Sequence, residues 1–569
     1  MYKRQLRIPT TVQAILAARI DRLHNDEKNL LQTLAVLGRE FVLSLARAVT
    51  GRSEHELDRL IANLQLGEFV YEQPSVSDVE YIFKHALTQE VAYNSMLVER
   101  RKKLHESVGR AIELLYPASL EDHVAELAHH FSKSGNREKA IEYLRLAGVR
   151  SLSRGALAQA VQDLESARRL LHHLSPGPSR DQLELQVLNA LGTAYIASRG
   201  YAAPEVGPTF QRAREICATI GEPEQQFAMV FGNFAWRIVR GEMDLSLVLA
   251  KEAFSFAETF DDPGMFMEAL MLLGVTLFYR GDFTSARAHQ EKALAQYDDR
   301  DRNRLWAARV GEDAGVTNRC YLALSLWHLG HPEQALKVNR EARELARSIE
   351  HPFSLAYAQH HTSWLYQLMR MPNETLLFSE EQLHTSTEQG FPLFQATAAI
   401  YSAGGDLLSG KGEKALTGLE SGIDAYRVTG AGLALPFYLG LLGDALAQRG
   451  NWRDAESVLD DALAMVETSN DRCHEAEIYR LKGELVRGFG DRPEVAEEHL
   501  LRAIDTAKKQ QSKAWELRAA TSLARLYQTW HRPRDAKDAL TSAYEFFTEG
   551  FSTPDLREAR TLLEELQSV

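Results

Sequence analysis

The groups in this sequence that could do chemistry are scattered rather than gathered. Gly410-Lys-Gly-Glu-Lys414 comes nearest to a phosphate-cradling loop. It has neither the spacing of G-x-x-x-x-G-K-[ST] nor the Ser/Thr hydroxyl that would reach Mg²⁺. His129-His130, His172-His173 and His360-His361 are adjacent pairs, whose rings point about 100° apart on a helix. They lack the i, i+4 spacing of helical metal sites, so no metal is expected. Cys217, Cys320 and Cys473 are far apart, in no zinc or disulfide pattern, and suit a reducing cytoplasm. Arg100-Arg-Lys-Lys103 could meet nucleic-acid phosphates. Four consecutive charges cannot share one helix face, however, and Glu99 and Glu106 flank them, which favours a solvated face. Phe278, Trp327, His328, His360 and Trp364 stand at inner positions of a helical repeat. There they either pack as core or line a concave groove for an extended peptide or small effector. With no paired acid and base, nucleophile motif or metal cluster, the chain is not expected to be an enzyme.

These side chains are positioned by a repeat. Ser246, Ala286, Ala335, Ala415, Ala455, Ala496 and Ala536 each follow a Gly or turn residue by five or six positions. Their gaps are 40, 49, 80, 40, 41 and 40 residues, with Thr375 at the midpoint of the 80 and Val206 one step before Ser246. A fixed period in this range predicts an α-solenoid of tetratricopeptide-like helix pairs. In such pairs the small residue lets its neighbour approach and the Gly makes the turn. An insertion over Asp298–Gly315 accounts for the 49-residue gap.

Composition is ordinary for a soluble globular protein at 45% hydrophobic and 25% charged residues, while the repeat makes the expected fold class all-α. The net charge is −13, concentrated beyond Leu115. An acidic array repels nucleic acid and anionic membrane, so nucleic acid is an unlikely partner and any DNA contact would come from the N-terminal part. No apolar run reaches a membrane span; Ala269–Phe278 comes nearest and reads as a buried helix.

In chain order, residues 26–116 read as a small winged-helix domain. It comprises helices over Asp26–Leu37 and Val42–Val49, a third opened by a Ser53-x-x-Glu56 capping box, and a hairpin of Phe69–Tyr71 with Val79–Phe83 across a Pro/Ser turn. Linking helical repeats occupy 117–174, with small residues at Ala140 and Ala160, and a Ser/Pro/Gly linker occupies 175–180. The solenoid spans 181–553. The capping helix, 554–569, shows Asp555, Glu558, Arg560 and Glu564 on a polar face.

Three segments carry a resemblance: Ile8-Pro-Thr-Thr-Val-Gln-Ala-Ile-Leu-Ala-Ala-Arg-Ile-Asp-Arg-Leu23, Ala35-Val-Leu-Gly-Arg-Glu-Phe41, and Phe83-Lys-His-Ala-Leu-Thr-Gln-Glu-Val-Ala-Tyr93. They resemble the end of the ATPase module in bacterial signal-transduction (STAND-type) ATPases. Gly200–Val206, Ser512–Arg518 and Thr548–Leu556 are similar to the repeats of multidomain adenylate/guanylate cyclase-like proteins. The resemblance implies that residues 1–25 end an ATPase helical lid and that the chain is the C-terminal remainder of a larger protein. Its partners would be upstream ATPase and cyclase domains, plus a protein or effector in the groove. It has no cofactor of its own, ATP or ADP belonging to the upstream domain. Phe83-Lys84-His85-Ala86 is similar to the Met-His-Asp segment of apoptotic and immune-receptor ATPases, which implies a nucleotide-sensing role for His85, though Ala86 replaces the Asp. The alternative for His85 is a residue capping a helix start. For the chain as a whole the alternatives are the regulatory array of a maltose-activator-like transcription regulator, or a standalone adaptor.

Overall fold

The computed structural model describes residues 10–74, 78–260, 262–297, 312–489 and 493–567. Residues 1–9, most of the insertion over Asp298–Gly315, and the Pro/Ser turn at 75–77 lie outside them. The chain divides into two compact units, one reaching Leu191 and one running from Gly192 to Val569. The boundary falls inside the helix Pro178–Arg199 rather than at the linker before it.

The first unit opens with helices Thr10–Asp21, Asn25–Leu37, Leu43–Thr50 and Glu54–Leu66 and strands β1 (Glu40–Val42), β2 (Val70–Gln73) and β3 (Glu80–Phe83). The sheet is antiparallel in the order β1-β3-β2, with Phe41 opposite Tyr81 and Val70 opposite Phe83. Strands β2 and β3 form the hairpin expected from the sequence. The sheet has a third strand that the sequence reading missed, because Glu40–Val42 is too short to show alternation. The Ser53 cap forms, its hydroxyl accepting from the Glu56 N–H at 3.4 Å. The Glu56 carboxylate does not complete the box but turns to Arg52. Leu57, Leu60, Ile61 and Leu64 are buried on one face of that helix. Helices Val98–Leu115, Val124–Lys133, Arg137–Ser153 and Leu157–Leu171 continue the unit on a shared apolar core.

The second unit is an α-solenoid, and its period is visible in burial. Val206, Ser246, Ala286, Ala335, Thr375, Ala415, Ala455, Ala496 and Ala536 are all 0% exposed, so every position inferred from the period is at a helix–helix contact. From Ser246 onward each is the fourth residue of its helix, as in Met243–Phe260 and Pro332–Ser348. Proline opens several of these second helices (Pro332, Pro372, Pro493, Pro533), where its missing N–H costs nothing. A left-handed residue links first to second helix: Gly241, Gly281, Gly330, Gly410 and Gly450, but Arg370 and His531 in two repeats, both with φ near +55°.

The first helices face the superhelix axis, and the axis is closed. The Gly432 and Leu433 N–H groups donate to Val239 O at 2.9 and 3.0 Å, and Arg472 and Cys473 N–H donate to Tyr279 O at 2.7 and 3.1 Å. His328 Nδ1 meets Ser512 Oγ at 3.0 Å, and Arg370 reaches Asp555 at 3.1 Å. Stepping through the first helices Pro223–Val239, Pro263–Tyr279, Ala314–His328 and Pro352–Leu368, the end of each meets the start of the fifth one onward. The superhelix therefore makes one turn in about five repeats, and the next turn seats directly on it. Among the described residues, no helix is long and apolar enough to cross a membrane.

Candidate functional site

Closure of the axis decides the fate of the expected groove. Phe278, His328 and Trp364 are fully buried and Trp327 nearly so. Trp327 packs edge-on to Trp515 at 4.9 Å, Phe278 to Trp364 at 5.8 Å, and His328 stacks on Phe283 at 3.8 Å. The sequence placed these residues on the inner face, and there they stand. Because the following superhelical turn covers that face, all four serve as core and none is presented in an open groove. His360 differs: it is half-buried, its Nδ1 lies 3.1 Å from Thr397 Oγ1, and it lines a tyrosine-rich cavity of about 90 Å³ beside His361, Tyr321 and Tyr438.

A larger chamber, about 460 Å³, lies further along the axis, a size common for small-ligand pockets. Six successive first helices contribute to it, from Pro352–Leu368 to Pro554–Gln567. One side is apolar, with Leu407, Phe437, Leu441, Ile478, Leu481 and Trp515. The other carries an ion-pair lattice. Arg480 bonds both Glu477 oxygens at 2.8 Å. Arg518 holds Asp555 at 2.8 Å, donates to Leu368 O, and lies over the Trp515 ring at 4.9 Å. Arg370 reaches Glu558 at 2.6 Å and Arg525 reaches it at 2.5 Å. Burial works to raise the Asp555 carboxyl, but Arg518 and Arg370 hold it below the usual range.

Three chamber groups are less fully matched. Asp444 has an amide donor, Gln448 Nε2 at 3.2 Å, and burial pushes its carboxyl up against the opposing charge of Arg480. Gln367 is buried, and its Oε1 has no partner in the chain. Its amide lies over Gly404, where an added Cβ would stand 2.6 Å from Oε1. His474 is buried and neutral, its pKa lowered by burial to about 3. It stacks on Phe437 at 4.2 Å, with Nδ1 at 2.9 Å from Cys473 Sγ and Nε2 unpartnered. Buried polar atoms without partners are costly, and two of them, Gln367 Oε1 and His474 Nε2, line this chamber.

Sequence reasoning missed this chamber, although the repeat register carried a signal. Tyr357, Thr397, Phe437, Glu477 and Arg518 occupy equivalent inner positions, as do Trp364, Gly404, Asp444, Glu484 and Arg525. Charge enters the first series at Glu477 and the second one repeat earlier, at Asp444. Asp555 and Glu558, expected on a solvated cap face, instead turn inward to the arginines. Arg560 and Glu564 do stay exposed, and the helix buries Leu556, Ala559, Leu562, Leu563 and Leu566.

In the first unit His85 is exposed at the start of the helix Ala86–Asn94, and its side chain makes no capping bond. The basic run is dispersed: Arg100 reaches Asn29 at 3.1 Å, Arg101 lies over Tyr93, and Lys102 pairs with Glu99 at 2.8 Å. His130 is buried with His105, Nδ1 to Nδ1 at 3.0 Å, and Tyr93 OH lies 2.9 Å from His105 Nε2. Burial lowers the two imidazoles to about 4 (His105) and about 3 (His130). His172 and His173 are exposed. Among the described residues no group of three or more His, Cys, Asp or Glu is arranged to hold a metal.

No family model matches the chain. An uncharacterized protein of Rhizobium meliloti (strain 1021) is 25% identical over 528 residues, covering 90% of this chain and 50% of that protein. The chain thus spans about half the length of the curated relative it matches. Among solved structures, the APC/C hetero-tetramer Cut9–Hcn1 is similar at 15% identity, covering 82% of this chain and 87% of that one, with a TM-score of 0.43. A Rap protein complexed with competence and sporulation factor has 13% identity, 75% and 99% coverage and a TM-score of 0.36. A STAND protein with a tetratricopeptide repeat sensor, from Pyrococcus horikoshii, has 11% identity, 99% and 68% coverage and a TM-score of 0.27. These likenesses are too slight to carry a site from one protein to another.

Proposed function

We propose that this chain is the regulatory sensor region of a signal-transduction ATPase: a tetratricopeptide-like scaffold that binds a protein segment or small effector and performs no catalysis itself. The observation that carries this reading is the axial chamber, built by six successive repeats and lined by buried polar atoms that the chain leaves unmatched. A binding site made by many repeats couples occupancy to the pitch of the whole array, because each repeat touches only its neighbours and the turn above. Its arginines and carboxylates hold one another in place, so the walls are pre-organised before a ligand arrives.

The winged helix is the part whose residues resemble the end of an ATPase module. His85 stands exposed at its surface, available to a nucleotide held by an upstream domain, and a neutral or charged imidazole can donate to a phosphate oxygen. A nucleotide cyclase is the output that the sequence resemblance favours. In the longer parent protein, two changes test the reading: deletion of the solenoid, and Gly440→Leu, which fills the chamber. ATPase and output activities should lose their response to the conditions that normally change them. If both variants respond as the unmodified parent does, the sensor reading is wrong.

A further inference from the structure

The second unit buries an acid that it does not pair. Glu268, in the helix Pro263–Tyr279, is 0% exposed, and neither of its carboxylate oxygens has a partner in the chain. The next first helix, Ala314–His328, is preceded by two more buried carboxylates, Glu312 and Asp313. We propose that this acidic joint is a proton-operated latch: closed, it holds Glu268 as the neutral acid, and parting the two helices lets that acid ionise and release its proton. The latch goes beyond the sensor reading and stands without it.

The three acids are not equivalent. Asp313 is matched: it caps its helix, taking the Val316 N–H at 2.9 Å, accepts from Tyr297 OH at 3.1 Å, and has Arg319 acting on it as a cation. Glu268 has no such support, and the charges that act on it are Glu312 and Asp313, both of its own sign. Among the described residues, the cations of the helices packed on Pro263–Tyr279 are engaged elsewhere. Arg237 pairs with Glu242, Arg287 pairs with Glu291 at 2.8 Å, and Lys292 lies over the Phe266 ring at 4.9 Å. Arg319 donates to Gly315 O at 3.0 Å and lies over Tyr297, while Lys251 is exposed. Of the other acids, Glu252 is held by Arg214 at 2.6 Å and Glu258 is exposed. The titratable groups around Glu312, which are Tyr201, Cys320, Tyr321 and Tyr357, are uncharged phenols and a thiol.

A carboxylate with neither hydrogen bonds nor a counter-ion is costly in such a place, whereas the neutral acid is tolerated. Burial, with the like charges of Glu312 and Asp313 added, raises Glu268 well above its ordinary 4.5, and burial pushes Glu312 up to about 8. In the opened or unfolded chain both ionise in the ordinary glutamate range. The closed joint is therefore most stable below that range and weakens as pH rises from it toward the folded values. Position gives the latch something to control. Glu312 lines the tyrosine-rich cavity, and Met271, Leu272 and Val275 line it from the same helix face as Glu268. Parting the joint opens that cavity to solvent.

Burial depresses His328, His361 and His474 of the same unit, which titrate in the opposite sense. The latch is therefore read as a difference between the wild type and Glu268→Gln, which carries no charge at any pH. Urea unfolding of the full 569-residue chain, followed by tryptophan fluorescence, is compared at pH 5.5 and pH 8. The ratio of the folding constant of Glu268→Gln to that of the wild type should be at least tenfold larger at pH 8 than at pH 5.5. Glu268→Leu should show the same dependence and serves if the first variant folds poorly. Infrared spectra at pH 7 should show the carbonyl band of a protonated carboxyl in the wild type, reduced in either variant. Hydrogen exchange over residues 263–279 should quicken from pH 6 to pH 8, beyond its intrinsic rise, in the wild type but not in the variants. The proposal is overturned if the folding-constant ratio is the same at both pH values, or if the protonated-carboxyl band is absent or unchanged by substitution.

Discussion

At Gly432 the backbones of two turns of the superhelix meet, and substituting it with Ala tests whether the axis is closed as described. A Cβ at Gly432 would stand 2.5 Å from Arg240 O, about 1 Å inside ordinary contact, and overpacking of that kind costs about 1–3 kcal/mol. The backbone can retreat only by lengthening the bonds from Gly432 and Leu433 to Val239 O, now 2.9 and 3.0 Å. Each contributes about 1 kcal/mol net. The expected loss is therefore about 3 kcal/mol, or a urea midpoint lowered by about 1 M at a slope near 3 kcal/mol/M. All seven tryptophans lie beyond Gly192, so intrinsic fluorescence reads the second unit alone. Gly410→Ala is the control. Gly410 has φ +76° with nothing within 4 Å of an added Cβ, so it should lose about 1 kcal/mol from backbone strain. If Gly432→Ala costs no more than Gly410→Ala, the two turns do not meet there and the argument fails.

Other outcomes follow from the same structure. Trp364→Ala should destabilise the second unit by about 3–5 kcal/mol, as for a large core side chain; a variant of unchanged stability would return Trp364 to the role of groove residue. Asp555→Asn leaves Arg518 and Arg370 short of a carboxylate and should cost about 3 kcal/mol in the fluorescence-detected urea midpoint; a shift under 0.5 kcal/mol would show the lattice to be slack. His105 and His130 have folded pKa values depressed by burial to about 4 and about 3, below the unfolded value near 6.5. Their contribution is intact above pH 6.5 and falls away as pH drops toward these values, by up to about 2 kcal/mol each at pH 5. Hydrogen exchange in the first unit should therefore speed up between pH 7 and 5, after correction for intrinsic rates, by more than in His130→Leu. His85→Ala should leave the first unit's stability within about 0.5 kcal/mol, since the exposed ring caps nothing; a larger loss would assign His85 a structural role.

The period was legible because close helix packing admits only small side chains at fixed steps, and substitution there is punished in every repeat alike. That is why Ser246, Thr375 and Ala455 share one burial although they differ in type. The β2–β3 hairpin was legible from alternation and turn residues, whereas strand β1 was too short to alternate. The inner aromatics were recognisable as inward-facing but not as enclosed. Whether an inner face is open or covered depends on superhelical pitch, which accumulates over five repeats and leaves no mark in any one. For the same reason Asp555 and Glu558 read as a solvated cap. Their partners, Arg370, Arg518 and Arg525, come from the turn below or the neighbouring helix, and opposite charges far apart in sequence look like ordinary surface. Comparing equivalent positions down the register, Phe437 to Glu477 to Arg518, would have exposed the chamber before the fold was known.

Enclosure of the axis is the claim on which the core and the chamber both stand. The most direct measurement is disulfide trapping between successive superhelical turns. A Cβ at Gly430 lies 3.6 Å from that of Ala202, within the range a disulfide spans, and the native cysteines are all buried; Gly430 is left-handed at φ +79° and its Cβ would also stand 2.9 Å from Ala202 O, so the bridge forms at a cost of about 1–3 kcal/mol. Under mild oxidation the Ala202→Cys/Gly430→Cys variant should close an intrachain bridge, shifting its mobility on a non-reducing gel at a rate independent of protein concentration. A variant that remains reduced while folded, or that crosslinks only between molecules, would mean that the turns stand apart and the inner face is an open groove.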